Sequence, residues 1–319
     1  METCLPSKAL ILPSIQSPLG ALPARFRRPR VLIVGCGDVG LRVAGLLKAS
    51  SRLMALTSSS QRVETLQRSG ITPMLGDLDK LQTLRRLAGV ATHVVHMAPP
   101  PLEGHTDPRT RALVLALRLR SLPSSMVYGS TTGVYGNCEG EWIDETRRLH
   151  PQTARAQRRV NAQDWVNFLG KSGYPRTQVL RIPGIYAMDR EGGTPRERLL
   201  RGTPVLQAHE DVYTNHIHAD DLARATVLAL WRGRPLRAMN VCDNTDMKMG
   251  DYMDSVAKMW NLQAPARISR EQAQLQFSPM VMSFLNESRR IRSVRLAQEL
   301  GLRLLHPTVM DGLKIASKT

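Results

Sequence analysis

Directly behind the apolar run Val31 to Val34 stand Gly35, Cys36, Gly37, Asp38, Val39 and Gly40, and helical spacing takes over from Val39 to Lys48. No other feature constrains the fold as tightly. Glycines at this spacing let a strand turn at once into a helix: Gly35 permits the tight turn, Gly37 lets a ligand approach bare backbone, and Gly40 lets the helix pack close to the strand. The unpaired amides around Asp38 and Val39 at the helix start then suit the pyrophosphate of a dinucleotide.

The rest of the chain repeats the alternation. Leu53 to Leu56, Val94 to Met97, Met126 to Tyr128 and Gln178 to Ile182 are short apolar runs separated by helical stretches. That rhythm predicts βαβ units, a parallel sheet buried on both faces and a doubly wound, Rossmann-type α/β domain. Past residue 183 the alternation loosens, and Gly192, Gly193, Pro195 and Pro204 mark loops. The expected organisation is a flexible extension over 1–29, a dinucleotide-binding domain over 30–183, and a smaller mixed α/β substrate lobe over 184–319 that sends some strands and helices back to the first domain. The extension holds a basic cluster of Arg25, Arg27, Arg28 and Arg30, while its apolar stretch Ala9 to Leu12 is short and cut by Pro13, unlike a secretory signal.

Composition narrows the function. Apolar residues make up 42% of the 319, no run is long enough to span a bilayer, and the four cysteines (Cys4, Cys36, Cys138, Cys242) form no CxxC pair. A buried core and a reducing cytoplasm are therefore expected, without a cysteine metal site. Forty-four basic residues against 27 acidic leave a net charge of +17, which attracts anions. Aromatics are only 4%, and no basic stretch is interleaved with them, so the expected partner is an anionic small molecule rather than nucleic acid. Twelve basic and four acidic residues lie between Arg147 and Arg201, where bidentate arginines would suit a diphosphate and a solvated helix face is the plainer explanation.

The end of the second strand reads Thr57, Ser58, Ser59, Ser60, Gln61, Arg62, with none of the acids that would hold a ribose diol. Hydroxyls and Arg62 could instead accept a 2′-phosphate, which favours NADP over NAD; Arg62 could equally be a solvated helix residue. Asp77, followed by Leu78, could contact adenine or cap the next helix.

Taken with Gly76-Asp77-Leu78, Ser130 to Gly136, Leu180 to Tyr186, Asn215 to Leu222 and Asn240-Val241, the chain from 31 to 315 resembles the extended short-chain dehydrogenases/reductases, the NAD-dependent epimerase/dehydratase family, and within it the YeeZ-like subgroup. The resemblance implies a nucleotide-sugar substrate and adds Leu78 and Ala98 to the cofactor-binding set. It also implies a tyrosine and, four residues later, a lysine on one helix, with a serine or threonine nearby, to move the proton that accompanies hydride transfer. Thr131 falls at the hydroxyl position. Arg155 stands where the tyrosine is expected and Arg159 where the lysine is expected. A guanidinium keeps its proton at neutral pH, so the usual relay is missing. Arg159 could bind the nicotinamide ribose, Arg155 a substrate anion, and Tyr135, Tyr186 or His96 could supply a substitute acid. The expected function is an NAD(P)-dependent oxidoreductase or epimerase; the alternative is a redox-sensing or regulatory protein that binds the cofactor without turnover. A homodimer is expected by analogy. His216, His218, Asp220 and Asp221 imitate a metal cluster, but the acids there more simply cap the helix that follows, and no metal is expected.

Overall fold

The computed structural model describes residues 28–171 and 175–314, so nearly all of the expected N-terminal extension lies outside the described residues. Six strands carry the first domain: β1 (Arg30–Val34), β2 (Arg52–Thr57), β3 (Thr72–Leu75), β4 (His93–His96), β5 (Ser125–Thr131) and β6 (Arg176–Ile182). Two short strands, β7 (Gly184–Tyr186) and β8 (His216–His218), pair beside them, and β9 (Arg237–Asn240) completes the main sheet. The seven-stranded order is β9-β6-β5-β4-β1-β2-β3, and every pairing is parallel. The molecule is thus a Rossmann-like α/β fold.

Period-two alternation explains both faces. Val31 and Ile33 of β1 pack with Val43 and Leu47 of α1 (Asp38–Leu47), whereas Leu32 and Val34 pack on the other side. That second side is covered by α3 (Pro108–Leu117) and α4 (Ala154–Gly170), through Leu113, Val114, Val166 and Leu169. Between them in sequence, α2 (Arg62–Arg68) follows β2. α5 (Ala219–Arg232) lies on the first face, where Leu222 and Leu230 join the same core as α1. A strand buried on both faces needs apolar residues throughout, and β1 and β4 are fully buried apart from Arg30.

The loosened region from 184 onward builds a lobe of two-residue strand pairs and short helices, while α5 and β9 return to the main sheet. The lobe also borrows from the first domain: Trp142–Ile143 pairs with Arg290–Ile291. The short helix expected near the C-terminus runs Val294–Gln298, with Ser293 before it and Gly301, at φ +65°, behind it.

One expectation is corrected. The helix after the Asn215-His216-Ile217-His218 segment is capped not by an aspartate but by His218, whose Nδ1 accepts from the Asp220 amide at 3.2 Å. Asp221 is completely buried and instead accepts from the amides of Leu305 and His306, both at 2.9 Å, and from Arg224 at 2.7 Å. An aspartate one turn into a helix can reach a neighbouring segment, and here that bond outweighs capping.

Candidate functional site

The turn between β1 and α1 needs its glycines for three different reasons. Gly35 sits at φ +85°, and a Cβ there would lie 2.6 Å from the Ala98 Cα. A Cβ on Gly40 would stand 3.0 Å from the Gly35 carbonyl and 3.3 Å from Ile33. A Cβ on Gly37 would meet nothing within 4 Å, because it would project into open space. No side chain caps the start of α1, so its leading amides face that space with the positive end of the helix dipole behind them.

The space is a cavity of about 310 Å³, lined by Gly35, Gly37, Asp38, Val39 and Gly40 on one side and by Met97, Gly129, Ser130, Thr131 and Arg159 on the other. It lies at the carboxyl ends of β1, β4 and β5, where the strand order reverses and α/β folds place their ligands. Thr131, Pro183 and Ile185 also line a second cavity of about 780 Å³ that runs into the C-terminal lobe.

Arg155 and Arg159, one helical turn apart on α4, reach these two spaces in turn. Arg159 lines the smaller one and donates to the Gly129 carbonyl at 2.9 Å and the Tyr128 hydroxyl at 3.1 Å. Arg155 lines the larger one, with its guanidinium 4.2 Å from the centre of the Phe284 ring. Burial lowers its pKa from the ordinary arginine value, Glu287 works against that, and Arg159 adds to it. Arg198 lines the same cavity; burial lowers its pKa too, and its guanidinium donates to the Met249 sulfur at 3.9 Å. Arg289, by contrast, is paired with Glu287 at 2.8 Å. Neither Arg155 nor Arg198 has an ion pair with a carboxylate within 4 Å among the described residues, although Glu287 acts on Arg155 from further off.

Arg62, the first residue of α2, donates to the Cys36 carbonyl at 2.5 Å, so it stands against the glycine turn. Ser58 is exposed at the end of β2, and the Thr57 hydroxyl accepts from the Ser59 amide at 3.2 Å. Two hydroxyl residues and a cation therefore stand together between the end of β2 and the start of α2. Asp77 caps no helix; its carboxylate accepts from the Asp79 amide at 3.0 Å in a turn. Leu78 packs against the core under α3 and α4, and Ala98 buttresses Gly35.

Of the three substitute acids, Tyr135 and His96 line neither cavity and Tyr186 lines the larger one. Tyr135 is 1% exposed and lines neither cavity; its hydroxyl donates to Asn240 and accepts from Arg181, both at 2.7 Å, and burial raises its pKa. It is part of a polar network inside the core. His96, fully buried at the end of β4, shares a hydrogen bond with Thr110, and burial pushes its pKa down to about 3. Tyr186 does line the larger cavity, but its hydroxyl donates to the Thr308 carbonyl at 3.1 Å and burial raises its pKa.

His306, which sequence spacing could not place, packs its ring 3.8 Å from that of His218, with Asp220 nearby. Asp220 is held by Arg42 at 2.5 Å, and the His218 Nδ1 is spent on the helix cap. A guanidinium therefore already stands among these groups, while the buried Nδ1 of His306 has no hydrogen-bond partner among the described residues.

Sequence reasoning also missed Arg190, Arg198 and Phe284. The basic excess between Arg147 and Arg201 pointed to the region, but no periodicity could select which arginines turn inward.

Residues 31–101 match the TrkA-N domain, a nucleotide-binding Rossmann unit. No curated protein sequence matches the chain. Among solved structures, a conserved protein of unknown function from Silicibacter pomeroyi is 26% identical with a TM-score of 0.76, covering 91% of this chain and 100% of its own. A UDP-glucose 4-epimerase from Thermotoga maritima, solved with UDP-glucose, is 17% identical with a TM-score of 0.73, covering 91% and 97%. A dTDP-glucose 4,6-dehydratase from Streptomyces venezuelae, solved with NAD bound, is 16% identical with a TM-score of 0.72, covering 89% and 94%. The last two are similar to this chain in fold. Among the described residues, no helix is long and apolar enough to cross a membrane.

Proposed function

We propose that this chain is an NAD(P)-binding oxidoreductase or epimerase of the YeeZ-like kind, acting on a nucleotide sugar or another phosphorylated small molecule in the cytoplasm, as a homodimer, without the usual tyrosine–lysine pair. The observation that carries the reading is Gly37: its missing Cβ opens onto a cavity that the helix amides of Asp38 and Val39 face and that continues into an arginine-lined space. A nicotinamide bound there would supply the hydride chemistry. Arg159, steadied by Gly129 and Tyr128, would hold the ribose beside it. Thr131 would orient a substrate oxygen at the boundary of the two cavities, and Arg155 with Arg198 would hold the substrate's phosphates. Arg62 with Thr57 and Ser58 favours NADP.

The second reading, a cofactor-sensing protein without turnover, is favoured by one specific observation. Both positions of the usual relay are guanidiniums, which keep their protons at neutral pH, so no group there can act as general acid or base.

Titration of wild type and Arg62→Ala with NADPH and NADH tests the cofactor. Wild type should prefer NADPH by about 10-fold or more and the variant should lose that preference; equal affinities in both proteins would remove the case for NADP. Incubating cofactor-loaded protein with nucleotide sugars and analysing the products separates enzyme from sensor, because an epimerase returns its hydride each cycle and leaves no net absorbance change.

A further inference from the structure

The loop after β7 folds back on itself: the Gly193 amide donates to the Arg190 carbonyl at 2.9 Å, and the Ala187 amide to the Gly193 carbonyl at 3.3 Å. Two crossed ion pairs strap it to α1, Asp189 to Arg42 at 2.6 Å and Arg190 to Asp38 at 2.7 Å. Gly192, Gly193 and Thr194 of the same loop line the larger cavity, while Arg190 lines the smaller one. The loop is therefore the wall that both spaces share.

Charge at the start of α1 is unusual for a pyrophosphate site. Asp38 places a carboxylate in the first turn, where two phosphates would meet it. Arg42 cannot relieve that, since its guanidinium is divided among Asp38, Asp189 and Asp220. Among the described residues, two that line the cavity are cations. Arg159 is committed at the β5 end to Gly129 and Tyr128. Arg190, at the glycine-turn end, spends Nη1 on Asp38 and is partly exposed, which leaves the rest of its fork able to face an incoming anion.

Resting on the dinucleotide reading above, we propose that Arg190 is the cation that binds the pyrophosphate of that dinucleotide, exchanging Asp38 for phosphate oxygens, and so couples the cofactor cavity to the wall of the substrate cavity. Asp38 holds the guanidinium in readiness when no ligand is bound. The pyrophosphate brings about two negative charges and competes with one carboxylate, so the exchange favours the ligand.

The test compares wild type, Arg190→Gln and Asp38→Asn by calorimetry with NADPH, NADH and adenosine 2′-monophosphate, which lacks the pyrophosphate, with thermal melts of all three proteins. Arg190→Gln should melt near wild type, bind the preferred dinucleotide about 10-fold more weakly, and bind the monophosphate unchanged. Asp38→Asn, which removes the competing carboxylate, should bind the dinucleotide more tightly. Unchanged dinucleotide affinity in Arg190→Gln would overturn this role and leave the dinucleotide reading standing; a wild type that binds neither dinucleotide would overturn both.

Discussion

At the scale of single residues, Gly35 and Gly37 separate folding from binding two positions apart. Gly35 combines a left-handed backbone with a wall of Met97 and Ala98 atoms, so Gly35→Ala should lose about 2 kcal/mol of stability or more in urea unfolding. Gly37→Val adds atoms where nothing stands, so it should unfold as wild type does while binding a dinucleotide more than ~10-fold more weakly. A Gly37→Val protein that bound NADPH normally would mean the ligand lies elsewhere. These roles could be read from the sequence because spacing alone sets a turn's geometry. The fates of Tyr135 and Arg190 could not. A tyrosine beside a strand end looks the same in sequence whether it faces a cavity or a buried arginine, and the partner that decides, Arg181, is 46 residues away.

Elements were legible wherever their pattern was local. The apolar runs of β1, β2, β4, β5 and β6 stood out because parallel strands buried on both faces are apolar throughout, and Ser293 and Gly301 bracketed a short helix, although the Ser293 hydroxyl bonds the Cys242 backbone rather than capping it. The cap of α5 was misread, since what recruits Asp221 is a segment 84 residues downstream that carries two unpaired amides. That assignment has a measurable consequence. Asp221→Ala would strand those amides and take the carboxylate from Arg224, and it should cost about 3 kcal/mol in denaturant unfolding, whereas Asp220→Ala, which alters a half-exposed ion pair, should cost less than about 1 kcal/mol. Similar losses in the two variants would contradict the roles assigned to them.

For the molecule as a whole, buried imidazoles set the response to acid. Burial holds His93 at about 4, His96 at about 3 and His216 at about 4, all below the ordinary 6.5. Between pH 7 and pH 5 the unfolded chain takes up protons on these rings and the folded chain does not, so folding stability should fall as pH drops through that window. Asp243 acts in the opposite sense. Burial raises it to about 7, so acid relieves a carboxylate that the fold strains to keep charged. His218 shifts with the three imidazoles, and Asp164 and Asp211 shift with Asp243; the imidazoles carry the larger share, and the urea midpoint at pH 5 should lie below that at pH 7, with a smaller drop in His216→Gln. A midpoint that held steady or rose on acidification would show that the imidazoles are hydrated in solution.

The parallel order of the main sheet also dictates when the protein can finish folding. β9 covers the outer edge of β6, yet 54 residues separate Ile182 from Arg237, and only part of the larger cavity's wall, from Pro183 to His216, is spelled out in between. A ribosome that has released the glycine turn, and with it every strand from β1 to β6, has made a sheet whose last row of amides and carbonyls is still bare. Until β9 emerges, that row is open to any extended chain nearby, so synthesis of the stretch from 183 to 236 is also the interval in which a nascent molecule most needs a chaperone's cover.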